Sequence, residues 1–234
     1  MADNVEQRLE GLEKVTKAQQ LEIERLQAAR ICENMFSRYE YYHVNEQHDK
    51  VIAMFSKRPD TRLYFGELGY WEGSDAAKRG WGILKRMDPK PGTMHFHPTM
   101  CPVVEVAEDG KTAKAVWTTF GFESGTDRKT GELDPKYAWG TYGIDFIKED
   151  GGWKFWHFHI YRLLMHPAGK PWTDKKYWDP FPEKSGDVDG MPIPEELKPD
   201  FPGVDDSPYQ IDKVTVIKPE PPLPYKTISD VKWS

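Results

Sequence analysis

Two apolar rhythms divide the first fifty positions. Val5, Leu9, Leu12, Thr16, Gln19, Ile23 and Leu26 step by 4, 3, 4, 3, 4 and 3, the a/d spacing of a heptad helix. Glu, Arg, Lys and Gln occupy its flanks. Thr16 and Gln19 place polar groups in the seam, which can set register and partner number at some cost in stability. Two readings fit: a self-associating helix, which we favour, and an amphipathic helix lying on its own domain. The register changes near Arg30. From there Ile31, Met35, Tyr39 and Tyr42/His43 share one helical face, up to a polar break at Asn45-Glu46-Gln47. A short helix is expected over Asp49–Phe55.

Beyond Pro59 the period shifts toward two. Arg62–Phe65 reads as a strand followed by Trp71-Glu72-Gly73, and Ser74 is placed to cap a helix running through Met87. Strands over Thr93–His97 and Val103–Ala107 are broken at Pro98 and Pro102, which predicts a bulge or kink between them. Glu108-Asp109-Gly110 signals a hairpin turn into Thr112–Glu123. Tyr137–Lys148 and Trp153–Leu164 form a second hairpin around Glu149-Asp150-Gly151-Gly152. Helices followed by antiparallel hairpins define an α+β class, with one curved sheet wrapped on helices.

After Met165 the pattern dissolves. Thirteen of the 19 prolines lie in residues 167–234, and such a tract builds no core of its own. It nevertheless keeps Trp172, Tyr177, Trp178, Phe181, Phe201, Tyr209, Tyr225 and Trp233. We therefore expect an extended arm that docks on folded surface. The domain reading is 1–29 for the front helix, 30–166 for the catalytic domain and 167–234 for the arm.

Composition narrows the function. The 234 residues are 38% hydrophobic and 30% charged, with a net charge of −6, so no basic footprint for nucleic acid is present. No apolar run reaches the ~18 residues of a membrane helix, and the N-terminus lacks the apolar core of a secretory signal. Cys32 and Cys101 have no spacing for zinc or a disulfide framework, and a reducing cytoplasm is expected. Aromatics reach 13%, with nine Trp; a pocket for flat substrates and a Trp-rich core account for them equally well.

Candidate chemistry gathers at three places. His95-Phe96-His97 and His157-Phe158-His159 each aim two imidazoles to one side of a strand. Four converging histidines would suggest a metal, but the carboxylate that the cupin pattern needs falls at Cys101 or Pro102, so no metal is expected. Regular alternation puts Phe155, His157, His159 and Tyr161 on one face of their strand. That face is either a polar pocket wall or a set of satisfied structural groups. On the helix before Asn45, Tyr39 and His43 stand one turn apart, a phenol that donates beside an imidazole that can act as a base.

Several motifs occur in an order that resembles a known family. Arg38-Tyr39 with Asp49-Lys50-Val51-Ile52-Ala53-Met54-Phe55, Trp71-Glu72-Gly73 and His97 before Pro102-Val103-Val104-Glu105-Val106 are followed by Gly140-Thr141-Tyr142-x-x-Asp145-Phe146 and Gly152-Trp153-Lys154-Phe155. Over roughly residues 30–163 they resemble SnoaL-like (polyketide-cyclase-like) members of the nuclear transport factor 2-like superfamily. That resemblance implies a cone-shaped, curved antiparallel sheet wrapped on three helices. It also implies chemistry without a cofactor. Within the superfamily the chain is similar to bile-acid and scytalone dehydratases, whose helix Tyr matches Tyr39 and whose catalytic His matches His97. Their carboxylate five residues after the Tyr falls on Val44 here, so His43, Asn45 or His48 would have to take its place. General similarity extends to the diarylpropane lyases that release formaldehyde.

The resulting expectation is a cofactor-independent lyase that removes water or formaldehyde from a hydroxylated aromatic or polycyclic small molecule. His97 would move the proton, and Tyr39, with Tyr42 or Tyr64, would donate to the leaving oxygen, with His43 nearby. Asn45, His48, His95, Tyr142, His157 and His159 are candidate substrate contacts. The partners expected are a small molecule and further copies of the chain, as a dimer or trimer. An isomerase or cyclase of the same fold, and a non-catalytic binding or assembly module, stay open.

Overall fold

A computed structural model describes residues 2–85, 91–126, 130–174, 187–188, 191–203 and 209–231. Three helices cover one face of a curved seven-stranded sheet: α1 (Ala2–Val44), α2 (His48–Ile52) and α3 (Ala76–Leu84). The strands are β1 (Arg62–Phe65), β2 (Tyr70–Glu72), β3 (Met94–Phe96), β4 (Thr99–Val106), β5 (Thr112–Thr126), β6 (Leu133–Glu149) and β7 (Gly152–Pro167). Their order is β2-β1-β7-β6-β5-β3, with β4 also on β5. Pairing is antiparallel except between β1 and β7, which run parallel. A small ribbon of β8 (Asp187–Val188) and β9 (Met191–Pro192) lies in the arm. This is the α+β architecture anticipated from the hairpin pattern.

The turns form where their chemistry predicts. Asp150 and Gly151 take φ of 46° and 76° between β6 and β7, the pair of positive angles a tight hairpin needs. The expected irregularity at Pro102 is present: the β4–β5 register shifts between Met100 and Val103, and Cys101 has a φ of 53°. At α3, however, the capping position belongs to Asp75 and the helix is Ala76–Leu84, so Ser74 does not cap it. Asp75 instead accepts from Arg79 Nε at 3.2 Å. Met87 lies outside the described residues.

The front helix and the first helix of the domain are one element. α1 continues without interruption through Arg30, and its 43 residues span about 64 Å at 1.5 Å per residue. What changes at Arg30 is the surroundings. Before it the apolar seam is solvent-facing, with Leu12 62% and Leu26 65% exposed. After it Cys32, Met35, Phe36 and Tyr39 are buried. The expected face is buried at Met35, Tyr39 and His43 and differs at its start, where Ile31 is exposed and Cys32 takes the inward position. Arg25 anchors the junction, donating to the carbonyls of Val106 and Ala107 at 3.1 Å each.

Inside the cone, Phe36 stacks on Trp117 at 3.9 Å and meets Tyr142 and Phe155 edge-on. Ala113, Ala115, Ile144, Phe146 and Phe158 complete that layer. Side chains on β7 do not alternate regularly. Asp145 pairs with His157 and Phe146 with Phe155, leaving Trp156 as an extra residue. A bulge of this kind reverses the phase of the strand. Phe155 and Phe158 therefore both face the core, while His157 and His159 face outward with Tyr64 and Asp145. The expectation that Phe155 and His157 share a face fails for this reason.

The described parts of the arm pack on the domain. Ile193 joins the core cluster, Trp71 Nε1 donates to the Leu197 carbonyl at 2.9 Å, and Arg79 pairs with Asp200 at 2.6 Å. Phe201 stacks on Tyr70 at 5.1 Å. Farther along, Tyr209 N–H donates to the Leu163 carbonyl at 2.7 Å, the Thr141 hydroxyl bonds the Lys218 carbonyl, and the Tyr225 hydroxyl meets Thr112 at 3.1 Å. These last contacts lay the arm across the outer face of the sheet. Trp172 is exposed; Tyr177, Trp178, Phe181 and Trp233 lie outside the described residues. No helix among the described residues is long and apolar enough to cross a membrane.

Candidate active site

The inward stripe of α1 carries polar groups as well as rings. Its last two turns present Phe36, Tyr39, Glu40 and His43, spaced so that Glu40 follows Phe36 by four residues on the same side. The facing strands contribute His95 and His97 from the β3 edge, Glu123 from β5 and Tyr142 from β6. His95 pairs with Glu123 across β3 and β5. This is why both histidines of the first His-x-His pair come toward the helix side.

Glu40 is the group that sequence reasoning missed. It is 7% exposed; Oε1 accepts the His97 backbone N–H at 2.8 Å, and Oε2 is buried without a hydrogen-bond partner. Burial pushes its pKa up to about 7, against the opposing pull of the His97 N–H and the His97 charge. A signal was present: a glutamate four residues from a buried Phe and three from His43 lies inside an apolar stripe.

Tyr39 is fully buried, and its hydroxyl has no partner in hydrogen-bond geometry. Burial is the main cause that raises its pKa, followed by the nearby Tyr142 phenol and Glu40. Tyr142 is raised likewise by burial and then by Glu40. The two phenols are thus coupled to each other and to the carboxylate, and both stay protonated and able to donate.

His97 is held on three sides. Its Nε2 lies 3.1 Å from Glu123 Oε1, and its ring stacks on His43 at 6.1 Å. Its Nδ1 lies against Gly121, where an added Cβ would come within 2.4 Å of it. Burial by itself would raise the Glu123 pKa, but the hydrogen bond and charge of His97 outweigh it and hold the carboxyl below its usual value. Glu123 is therefore an ionised partner for the His97 imidazole. His43, stacked on Tyr39 at 5.8 Å with 4° between the planes, is held neutral first by burial and then by His97, His48 and His95.

The remaining candidates divide. His48 and His95 join the inner group through Glu46, at 3.6 and 3.1 Å. Tyr42 is half-buried at its margin, under Lys50 at 5.2 Å. Asn45 is exposed and caps the Tyr41 carbonyl at 2.7 Å. Tyr64, His157 and His159 lie on the opposite face of the sheet. There His157 Nδ1 bonds Asp145 at 2.8 Å and Nε2 bonds the Asp60 carbonyl at 3.1 Å, while Lys114 pairs with the same Asp145 at 2.6 Å. The two His-x-His pairs therefore do not converge. Among the described residues no group of three or more His, Cys, Asp or Glu is arranged to hold a metal ion.

Comparisons with known proteins agree with this architecture. A putative scytalone dehydratase from Novosphingobium aromaticivorans superposes with a TM-score of 0.51 at 18% identity, covering 68% of this chain and 97% of that one. A type 2 hexachlorocyclohexane dehydrochlorinase (LinA) gives 0.52 at 14%, over 68% and 97%. The LinA-type3 dehydrochlorinase from Novosphingobium barchaimii gives 0.51 at 14%, over 64% and 96%. At such identities the likeness establishes the fold. No curated protein sequence matches the chain. A family model described as a SnoaL-like domain matches residues 24–159. That is more than half of the chain, which therefore belongs to the SnoaL-like family.

Proposed function

We propose that the chain is a lyase of the dehydratase type, acting without a cofactor on a hydroxylated aromatic or polycyclic small molecule. The observation that carries the reading is a pair of buried polar atoms from adjacent residues of one helix, Tyr39 Oη and Glu40 Oε2, that have no partner in hydrogen-bond geometry. Each unsatisfied group costs about 1–3 kcal/mol, a cost that a bound substrate would offset by supplying the missing partner. The solved dehydratase and dehydrochlorinase of the same fold support elimination as the reaction type.

In the proposed step Glu40, titrating near 7, takes the proton from the substrate carbon as general base. The electrons form the new double bond and expel the hydroxyl, which leaves as water with a proton from the His97 ring, paired with Glu123 at 3.1 Å. Tyr39 and Tyr142 donate to the carbonyl or phenolate oxygen on which charge builds; one such donor is worth about 3–4 kcal/mol. For a substrate bearing a hydroxymethyl group, the same base would take the hydroxyl proton; the C–O bond becomes the C=O of formaldehyde as the C–C bond breaks, and the carbon left behind takes its electron pair and a proton from the His97 ring. His43, neutral and beside Tyr39, is a second base available to the site.

The test is turnover of a panel of hydroxylated aromatic and polycyclic compounds, followed by product mass. A product lighter by one water or one formaldehyde supports the corresponding elimination. Unchanged mass assigns an isomerase or cyclase, and saturable binding without conversion assigns a binding module.

We also propose that the chain assembles with copies of itself through the exposed front of α1. Val5, Leu9, Leu12, Ile23 and Leu26 are each about half exposed or more, and a single helix of such length gains stability by burying its stripe. A monomer by light scattering at micromolar concentration rejects this assembly.

A further inference from the structure

Carboxylates and imidazoles outside the sequence motifs link the end of α1 to the site. Glu46 sits just past that helix end. Its N–H donates to the His43 carbonyl at 2.9 Å, and the Gln47 N–H donates to the Tyr42 carbonyl at 2.8 Å, the paired bonds of a Schellman-type terminus. The position requires the left-handed region, and Glu46 has a φ of 55°, where Gly or Asn is the ordinary occupant. A glutamate held there at a conformational cost points to work for its side chain.

That side chain reaches two histidines from different elements. Oε1 lies 3.1 Å from His95 Nδ1 and Oε2 3.6 Å from His48 Nδ1. The other nitrogen of His48, Nε2, is 3.4 Å from His43 Nδ1. An ionised carboxylate only accepts, so it selects the His48 tautomer with the proton on Nδ1. Nε2 of His48 is then an acceptor, and His43 must donate to it from Nδ1. By elimination, His43 Nε2 keeps its lone pair, and among the described residues it makes no hydrogen bond.

Other charges around the pair do not reverse this order. His48 also faces Asp49 and Lys85, but these two neutralise each other at 2.6 Å. His43 faces Tyr39, Trp81, His95 and His97, none of which carries a carboxylate toward its Nδ1. The Glu46–His48 contact at 3.6 Å is electrostatic, and the carboxylate charge still favours the proton on the nearer nitrogen, while the His43–His48 contact at 3.4 Å is a long hydrogen bond.

We infer that Glu46 is a positioning residue: acting through His48, it holds His43 in the tautomer whose Nε2 is free to take a proton. The consequence for turnover rests on the acid–base chemistry proposed above; the tautomer does not.

The experiment reads tautomers first, by nitrogen-15 NMR of the imidazole rings in the full chain without substrate. His43 is expected with its proton on Nδ1 in the wild type. Glu46→Gln, whose amide can donate as well as accept, should mix the two His43 forms. Glu46→Asp should retain part of the preference, and His48→Ala should abolish it with the carboxylate still in place. On a substrate whose conversion uses His43 as the second base, Glu46→Gln should lower kcat. KM should change little and the acid limb of the pH profile should move. A wild-type His43 protonated on Nε2, or populations unchanged in both Glu46→Gln and His48→Ala, would overturn the inference while leaving the lyase reading intact. Tautomers that shift as expected, with no compound converted, would instead remove the lyase reading and keep the positioning role.

Discussion

On the outer face of the sheet, Lys114, Asp145 and His157 bury a charge network in which every partner is found. On the inner face, Tyr39 and Glu40 bury polar atoms that have none. Both groups are nearly inaccessible to water, and both involve a histidine beside a carboxylate. Asp145 takes Lys114 at 2.6 Å and His157 at 2.8 Å, and His157 spends its second nitrogen on the Asp60 carbonyl. Glu40 has one oxygen satisfied by a backbone N–H and the other by nothing. Titration follows the same division. Burial would raise Asp145, but His157 and Lys114 outweigh it and lower its pKa, whereas burial dominates at Glu40. A closed network holds structure together, and an open one waits for a ligand.

The largest effect should come from breaking the open group. Glu40→Gln keeps the His97 contact but removes the base, and should lower kcat by about 10²–10⁴-fold, measured by steady-state kinetics on a converted substrate. It should also change the pH dependence of stability. A carboxyl raised from 4.5 to about 7 binds its proton more tightly when folded, so its contribution is complete below about 4.5 and is lost as pH rises through 7. A change of that size corresponds to about 3 kcal/mol. Denaturant melts from pH 4 to 8 should show that decline in the wild type and not in the variant.

Breaking the closed group should act on stability alone. Asp145→Ala strands a buried Lys114 and a buried His157 and should cost about 3–5 kcal/mol by chemical denaturation. The specific activity of the folded fraction should be retained. Because the folded Asp145 pKa is depressed, its contribution is present above the unfolded value of 3.8 and disappears as pH falls through the folded value. Loss of activity without loss of stability in Asp145→Ala would erase the distinction between the two faces.

Gly121→Ala sharpens the inner side. The new methyl group would meet His97 Nδ1 at 2.4 Å and the Phe96 carbonyl at 2.7 Å, so the ring must move off Glu123. Activity should fall by about tenfold or more, in line with the sensitivity of catalysis to small misplacements, with a smaller stability cost of about 1–3 kcal/mol. The smallest change in stability is expected from Tyr39→Phe. Removing an orphaned hydroxyl should leave the fold unchanged or more stable by about 1 kcal/mol, while turnover drops.

Most of the architecture was legible in the chain because turns and strands carry local signatures. Pro102 announced the bulge in β4, Asp150-Gly151 announced the β6–β7 hairpin, and Arg62–Phe65 was bounded by its neighbours. The site was legible only in part. Tyr39 and His97 stood in recognisable motifs, and the structure brings both to the inner group, on either side of His43. Glu40, Glu46 and Glu123 had no such marker, since a glutamate on a helix or an edge strand ordinarily faces water. Phe155 was placed on the wrong face by a single extra residue, Trp156, whose bulge no periodicity reveals in advance, while His157 and His159 do share a face.

By itself the amino-acid order determined which segments became helix, strand, turn and arm, because those choices depend on side chains a few residues apart. It also determined that a long apolar stripe would precede the domain. Only the tertiary structure decided that this stripe and the first domain helix are one element and which face of β7 meets the core. The same holds for which carboxylates lose their water. Those outcomes depend on residues far apart in the chain, such as Glu40 with His97 and Asp145 with Lys114. Burial and partnership are properties of the packed assembly, and it is these that separate a carboxylate holding the sheet together from one poised to move a proton.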